Sequence, residues 1–328
     1  MKISVVIPTF ERADILKLTL ESLIHQTLKR DEYEVIVVDD GSNDDGTTKD
    51  IVEEFQKKNS NFKYIWQENQ KQGAARNNGI KHTEGEIVLF IGDDIIPAQT
   101  DFLEQHLRLH EAHPEETYGV LGFTDWHPDL KQNGQISDFM KWLTNGSCVL
   151  GRYGGHQFAY EKLKKGPGGI RPGETNGAKQ KETIQANYNF FYTSNISLKR
   201  SLLLKEQFDK DFGEYGWEDI ELGYRLEKKY NFKLLYNPQA IGWHHHVITE
   251  ESLAPRMRKI AESAYIIDKK YPELKKIPSK KKILAFKLLS NSISLQLLKF
   301  MSKMDRKWLN YFYYALSKKF YLEGLKRT

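Results

Sequence analysis

Asp93 and Asp94 stand side by side where an apolar run, Ile87-Val88-Leu89-Phe90-Ile91, ends and Gly92 lets the backbone turn. Two adjacent carboxylates repel each other unless a cation relieves them. At the C-terminal edge of an α/β sheet, where ligands bind, such a pair suits a divalent metal and a phosphate. Asp39-Asp40-Gly41-Ser42 closes a second apolar run. Its carboxylates can accept hydrogen bonds from a base N–H or from ribose hydroxyls, although the same residue types also make plain turns and caps. Gly73-Ala74-Ala75-Arg76 opens a helix whose first N–H groups a ligand can approach. Arg76 can pair with a carboxylate such as Asp39 or reach a nucleotide, and an ordinary surface arginine is the alternative.

Two later blocks add different chemistry. Trp217 offers a flat apolar face of the kind that stacks on a sugar ring, beside the carboxylates of Glu218 and Asp219. A carboxylate there can serve as general base for a hydroxyl nucleophile, or simply cap the helix that follows. His244-His245-His246 follows Trp243. In an extended segment only alternate side chains share a face, so His244 and His246 point together. A neutral imidazole can complete a divalent-metal site begun by carboxylates. Oxygen ligands with one imidazole suit Mn²⁺ or Mg²⁺ better than a structural zinc, which favours cysteines.

The elements that must carry these residues are legible from periodicity. Strands are expected at 3–7, 35–38, 62–66, 87–91 and 118–121, and helices at about 15–24, 47–58, 72–81, 101–113 and 220–230. Strands that are apolar throughout, alternating with helices, predict an α/β fold whose mostly parallel sheet is covered on both faces. No G-x-G-x-x-G follows the first strand and no Walker phosphate loop occurs, so a nucleotide would be held by other means. Residues 127–186 break the pattern with many glycines and Lys164, Lys165 and Arg171, and are expected to be a mobile glycine-rich loop or insertion.

Taken together, the blocks resemble the family 2 inverting glycosyltransferases of the GT-A fold, over residues 1 to about 250. Val5-Val6-Ile7-Pro8-Thr9-Phe10-Glu11-Arg12 resembles the family's opening strand and loop. Val37 to Ser42 resembles its uridine-binding turn, and Gly73 to Asn77 its Arg-Asn helix. Gly92-Asp93-Asp94 stands where the D-x-D metal motif belongs, with Gly92 replacing the first Asp. Trp217-Glu218-Asp219 resembles the W-E-D block of galactosyl- and N-acetylgalactosaminyltransferase-like members. The resemblance implies Asp94 and His244 as metal ligands, Asp93 toward metal or ribose, and Asp219 as catalytic base. It further implies Pro8, Thr9, Glu11, Asp39, Gly73 and Arg76 around the nucleotide, and Trp217 and Glu218 at the acceptor. Mn²⁺ or Mg²⁺ would be the cofactor and a UDP-sugar the donor, in surface polysaccharide or glycolipid assembly. A sugar-nucleotide-forming nucleotidyltransferase would need a basic, glycine-rich loop after the first strand, where only Arg12 is offered. A non-catalytic nucleotide-sugar-binding protein would have no need of an intact Asp94, Asp219 and His244.

Composition bounds the rest. The chain has 328 residues, 39% of them hydrophobic, enough for a large core in one or two domains. One cysteine, Cys148, suits a reducing compartment, and the first residues do not read as a signal peptide, so a cytoplasmic address is expected. Residues 255–328 hold 19 Lys/Arg against 5 Asp/Glu, leaving 30 against 39 for residues 1–254. A basic, aromatic helical extension over 251–328 therefore follows an acidic catalytic domain at 1–250. Its charge seeks a phosphate-rich surface. Ala285, Phe286, Leu289, Ile293, Leu297 and Phe300 fall on one helical face opposite a polar stripe, which disfavours a transmembrane span. Trp308, Tyr311, Phe312, Tyr313, Tyr314, Phe320 and Tyr321 among basic residues suggest interfacial docking on an anionic membrane, and no nucleic-acid partner is expected. Packing on the catalytic body or on another subunit, as in a homo-oligomer, is the competing use of that face.

Overall fold

The computed structural model describes residues 1–145, 147–148, 151–152, 184–212 and 216–326. They form two compact units. The first takes residues 1–128, 184–212 and 219–246, and the second takes the remaining described segments.

The first unit opens with the expected alternation: β1 (Ile3–Thr9), α1 (Ala13–Leu23), β2 (Tyr33–Asp39), α2 (Thr47–Lys58), β3 (Phe62–Trp66), α3 (Lys71–Lys81) and β4 (Ile87–Ile91). Then come β5 (Ile95–Pro97), α4 (Phe102–Ala112) and β6 (Tyr118–Trp126). After α5 (Pro128–Gln132), α6 (Asp138–Asn145) and the short pair β7 (Ser147–Cys148) and β8 (Gly151–Arg152), the chain returns to this unit. It does so through β9 (Ile184–Ala186), β10 (Asn195–Lys199), α7 (Arg200–Lys205), α8 (Glu218–Tyr230) and β11 (Lys233–His244).

These strands make one sheet in the order β3-β2-β1-β4-β10-β6-β11-β5, with β9 on β11. β3, β2, β1 and β4 are mutually parallel, and β11 is parallel to β6. β10 runs antiparallel between β4 and β6, so the sheet is mixed, with a parallel half. Alternation explains why the strands are apolar at every position. Ile3, Val5 and Ile7 join Leu16, Leu20, Val35 and Phe102 on one face, while Val6, Val88 and Phe90 join Ile196, Leu198 and Leu222 on the other. β6 runs five residues past the expected 118–121, because its second half pairs with β11 beyond a bulge between Asn237 and Ile241.

The second unit is helical: α5 and α6, then α9 (Leu253–Lys270), α10 (Lys280–Leu289), α11 (Ser292–Met304) and α12 (Lys307–Leu325). Here the structure departs from the expected loop at 127–186. Residues 138–145 are an amphipathic helix whose Phe139, Trp142 and Leu143 are buried with Leu253, Met257, Ala261, Tyr313 and Tyr321. Three large apolar side chains at helical spacing outweigh the glycines that follow them. Residues 153–183, with most of those glycines and Lys164, Lys165 and Arg171, lie outside the described residues. α9 and α12 cross closely at Gly324, where an added Cβ would meet the Arg258 carbonyl oxygen at 2.5 Å. Arg258 also grips Glu323 through Nε at 2.9 Å and Nη2 at 2.6 Å.

The expected single apolar face of 285–300 is broken in two. Asn291 ends the run as an N-cap, its side chain accepting from the Ser294 N–H at 2.9 Å, and α10 and α11 meet at 57°. No single helix among the described residues is long and apolar enough to cross a membrane.

Candidate active site

The register of the parallel strands brings the chemistry to one edge. Thr9 pairs with Asp39 across β1–β2, so Thr9, Asp39-Asp40 and Asp93-Asp94 all sit at the C-terminal ends of neighbouring strands. β11 delivers the histidine from the other half of the sheet: His244 pairs with Ile95 of β5, next to Asp94.

Asp93, Asp94 and His244 therefore converge. His244 Nε2 lies 2.9 Å from Asp94 Oδ2, and the His245 N–H donates to the Asp94 carbonyl at 2.9 Å. Trp126 stacks on the His244 ring, centroids 4.9 Å apart, which fixes its plane. Thr9 Oγ1 donates to Asp93 Oδ2 at 2.9 Å, and Thr19 Oγ1 to the Asp93 carbonyl at 2.7 Å. The cation that the carboxylate pair requires is present as Arg12, whose Nη1 is 2.9 Å from Asp93 Oδ1 and whose Nη2 is 2.6 Å from Asp94 Oδ2. Burial pushes the Asp93 carboxyl up, against the pull of Arg12 and with a further push from Asp94. Burial opposes ionisation of Asp94 too, but His244 and Arg12 outweigh it and hold that carboxyl well below the usual range. One neutral-leaning and one firmly ionised carboxylate thus share a single cation.

Gly92 has a steric reason. A Cβ there would stand 2.6 Å from Asp94 Oδ1, so no side chain fits unless the carboxylate moves. The departure from D-x-D therefore belongs to the way Asp94 is seated.

Asp39 and Asp40 split turn and cap duties. Asp39 Oδ1 accepts the Ser42 N–H at 2.9 Å and Oδ2 the Tyr64 hydroxyl at 2.7 Å, rather than Arg76. Burial, then the hydrogen bond to Asp39, raises the Tyr64 hydroxyl above its ordinary value. Asp40 receives Gln67 Nε2 at 2.7 Å and the N–H groups of Gln70 and Lys71 at 2.9 and 2.8 Å. It caps α3 across the sheet edge, so these first N–H groups face Asp40 and not an incoming ligand. Gly41 is forced, with φ +82° and Asn69 N only 2.8 Å from where a Cβ would stand.

Other expected residues are placed differently. Arg76 is buried, donates to Gln72 Oε1 at 3.1 Å and lies 5.5 Å from the centre of the Phe208 ring. Gly73 faces Phe208, whose Cβ would be 3.4 Å from an added Cβ. Pro8 is the penultimate residue of β1. Glu11 takes a left-handed φ of 52° and donates its N–H to Ser42 Oγ at 2.8 Å. It lines a cavity of about 510 Å³ with Arg12, Asp44, Thr47 and His246. A larger cleft of about 680 Å³, lined by Lys63, Lys81, His82 and Arg200, lies toward the opposite end of β4 and holds none of the expected site residues. Asp219 belongs to the first unit and accepts the Ile220 N–H at 2.7 Å on Oδ1 at the start of α8. Trp217 and Glu218 belong to the second. There Trp217 Nε1 donates to the Ile260 carbonyl at 3.2 Å, and the Lys276 ammonium lies 4.5 Å from its ring centre. Glu218 Oε2 accepts the Gly216 N–H at 3.0 Å. Thr19, Tyr64 and Trp126 were not singled out by sequence reasoning, and Arg12 was named there without a role at this site. Of these only Arg12 carried a usable signal, a lone cation three residues after Thr9.

Residues 4–165 match Glycosyl transferase family 2. Over 227 residues the chain is 30% identical to validoxylamine A glucosyltransferase of Streptomyces hygroscopicus subsp. jinggangensis, covering 68% of this chain and 51% of the relative. The chain thus spans about half the length of that relative. Over 95 residues it is 41% identical to GalNAc(5)-diNAcBac-PP-undecaprenol beta-1,3-glucosyltransferase of Campylobacter jejuni, covering 28% of this chain and 29% of the relative. Among solved structures, Staphylococcus aureus TarS 1–349 in complex with UDP-GlcNAc superposes with a TM-score of 0.53 at 19% identity, covering 99% of this chain and 91% of that one. Residues 4–165 are thus similar to Glycosyl transferase family 2, and the chain shares the GT-A fold.

Proposed function

We propose that the protein is an inverting, metal-dependent glycosyltransferase that moves a sugar from a UDP-sugar to a hydroxyl of a glycan or lipid-linked acceptor, in cell-surface polysaccharide or glycolipid assembly. The observation that carries this reading is the meeting of Asp93, Asp94 and His244 at one sheet edge, with the Arg12 guanidinium lying across both carboxylates. Hard oxygens with one imidazole nitrogen fit Mn²⁺ or Mg²⁺, and the bridging guanidinium marks a place that favours positive charge. Asp94 and His244 would hold the ion, with Asp93 toward metal or ribose. When bound, the ion neutralises charge on the diphosphate as it leaves.

The chain's own groups do the rest. Asp39, pinned by Ser42 and Tyr64, presents a fixed acceptor for the base or ribose. Pro8, Thr9 and Glu11 complete the nucleotide seat, and Trp217 and Glu218 contact the acceptor. Asp219 takes the proton of the acceptor hydroxyl as its oxygen bonds to the anomeric carbon and the anomeric carbon–phosphate oxygen bond breaks. One displacement from the opposite face inverts the centre and needs no enzyme nucleophile. TarS, solved in complex with UDP-GlcNAc, supports the choice of UDP, and the Campylobacter undecaprenol-linked glucosyltransferase supports a lipid-linked acceptor.

A panel of UDP-sugars with Mn²⁺, read by released UDP, tests the proposal. One donor should release UDP well above the others, and Asp219→Asn should keep UDP affinity while transfer falls by about 10³-fold or more. Pyrophosphate-dependent UTP formation would instead make the protein a nucleotidyltransferase, and binding without turnover a non-catalytic one.

A further inference from the structure

Six large apolar side chains stand in solvent on the bent helix pair α10–α11: Leu284, Leu288, Ile293, Leu297, Phe300 and Met304. Their exposure runs from 56% at Leu297 to 79% at Ile293, too high for residues resting on the fold's own core. On α11 the spacing 293, 297, 300, 304 is a single stripe, and on α10 residues 284 and 288 make the same kind of stripe one turn long. The opposite sides of both helices are occupied. Ile283, Phe286 and Leu289 of α10 are half-buried, Lys318 of α12 lies 5.2 Å from the Phe286 ring centre, and Leu298 of α11 is buried. The fold therefore consumes one face of each helix and leaves the other apolar and bare.

Charge says what covers it. Residues 280–304 contain no Asp or Glu. Lys280, Lys281 and Lys287 border the α10 stripe, Lys299 and Lys303 lie along one side of the α11 stripe, and all five are exposed. A second copy of this chain, paired about a twofold axis, would set these lysines against themselves. An anionic lipid surface complements both features, taking the apolar stripe below the headgroups and the ammonium groups among the phosphates. Length fixes the mode. α11 has 13 residues, about 20 Å against a hydrocarbon core of about 30 Å, and the 57° bend keeps α10 from extending it.

We propose that the exposed face of α10–α11 docks in the plane of an anionic membrane surface. The docking stands on this surface alone and is independent of sugar transfer. Flotation of the full chain with vesicles tests it, using phosphatidylcholine alone or an equal mixture with phosphatidylglycerol. The parent should float with the mixed vesicles, less so with the neutral ones, and lose binding as salt rises. I293Q/L297Q/F300Q/M304Q should cut partition at least about tenfold, with its helical circular dichroism unchanged because the replaced side chains are exposed. K280Q/K281Q/K287Q should abolish the preference for anionic over neutral vesicles without touching the apolar stripe. A parent that stays unbound by mixed vesicles, or a four-glutamine variant that floats like the parent, would overturn the proposal. So would a parent that sediments as a dimer, becomes a monomer on the four-glutamine substitution and ignores vesicles, which would assign the face to a second copy.

Discussion

Arg12 shows how a single residue reports on a site. Asp93 and Asp94 are both buried, and the guanidinium bridging them is the cation their proximity demands. Arg12→Gln leaves that charge uncompensated and should destabilise the protein by about 3 kcal/mol in chelator-treated buffer. Mn²⁺ should then raise the melting temperature of the variant more than that of the parent. Equal Mn²⁺ shifts in the two proteins would mean that guanidinium and metal do not share the carboxylates. Gly92→Ala probes the same spot sterically. Its Cβ would crowd Asp94 Oδ1 at 2.6 Å, so Mn²⁺ affinity by titration calorimetry should fall about tenfold or more. Residue identity was legible here because two adjacent acids at a strand end are costly without purpose. Geometry was not: that Arg12 folds back over both acids, and that Tyr64 rather than Arg76 holds Asp39, depends on long-range pairing that no local pattern encodes.

At the scale of elements, periodicity and burial agree in the parallel half because each strand there is apolar on both faces and each helix on one stripe. They part where a helix is announced by few residues. Glycines after 150 mask the amphipathic α6, and Asn291 splits what reads as one apolar face. α3 is instructive in another way. Small residues at its start suggest room for a ligand, yet the Gln70 and Lys71 N–H groups are already taken by Asp40 from the neighbouring strand. Asp40→Ala should therefore cost about 1–2 kcal/mol and speed amide exchange at Gln70 and Lys71 selectively. Unchanged exchange there would show that α3 does not depend on the distant cap.

For the whole molecule, two compact units imply two thermal transitions, and buried histidines let pH address one of them. Asn195 Nδ2 donates to the Phe123 and Ala240 carbonyls, so its Oδ1 accepts from His106 Nε2–H at 2.9 Å. His106 Nδ1 must then accept the Ser197 hydroxyl proton at 2.9 Å, and His110 Nε2–H donates to Ser197 Oγ at 2.9 Å. This chain of donors holds only while the His106 ring is neutral, since its Nδ1 must accept. Burial pulls His106 down to about 4 and His110, with Lys199 and His106 nearby, down to about 3. An unfolded histidine titrates near 6.5. Between those values the unfolded chain binds protons that the folded one refuses, so stability falls as pH falls, by about 3 kcal/mol for His106 between pH 6.5 and 4. Asp93, whose carboxyl is raised, contributes in the opposite direction, gaining stability as pH falls. The double variant His106→Gln, His110→Gln keeps the Asp93 term and removes the histidine term, so the difference between parent and variant isolates the rings. Calorimetry from pH 7 to 4.5 should show the parent's first-unit transition falling more steeply than the variant's. The second unit, with no histidine among its described residues, should shift less in both proteins. Parallel slopes in parent and variant would mean that the buried pair is protonated without cost, and the proton chain through Ser197 would have to be abandoned.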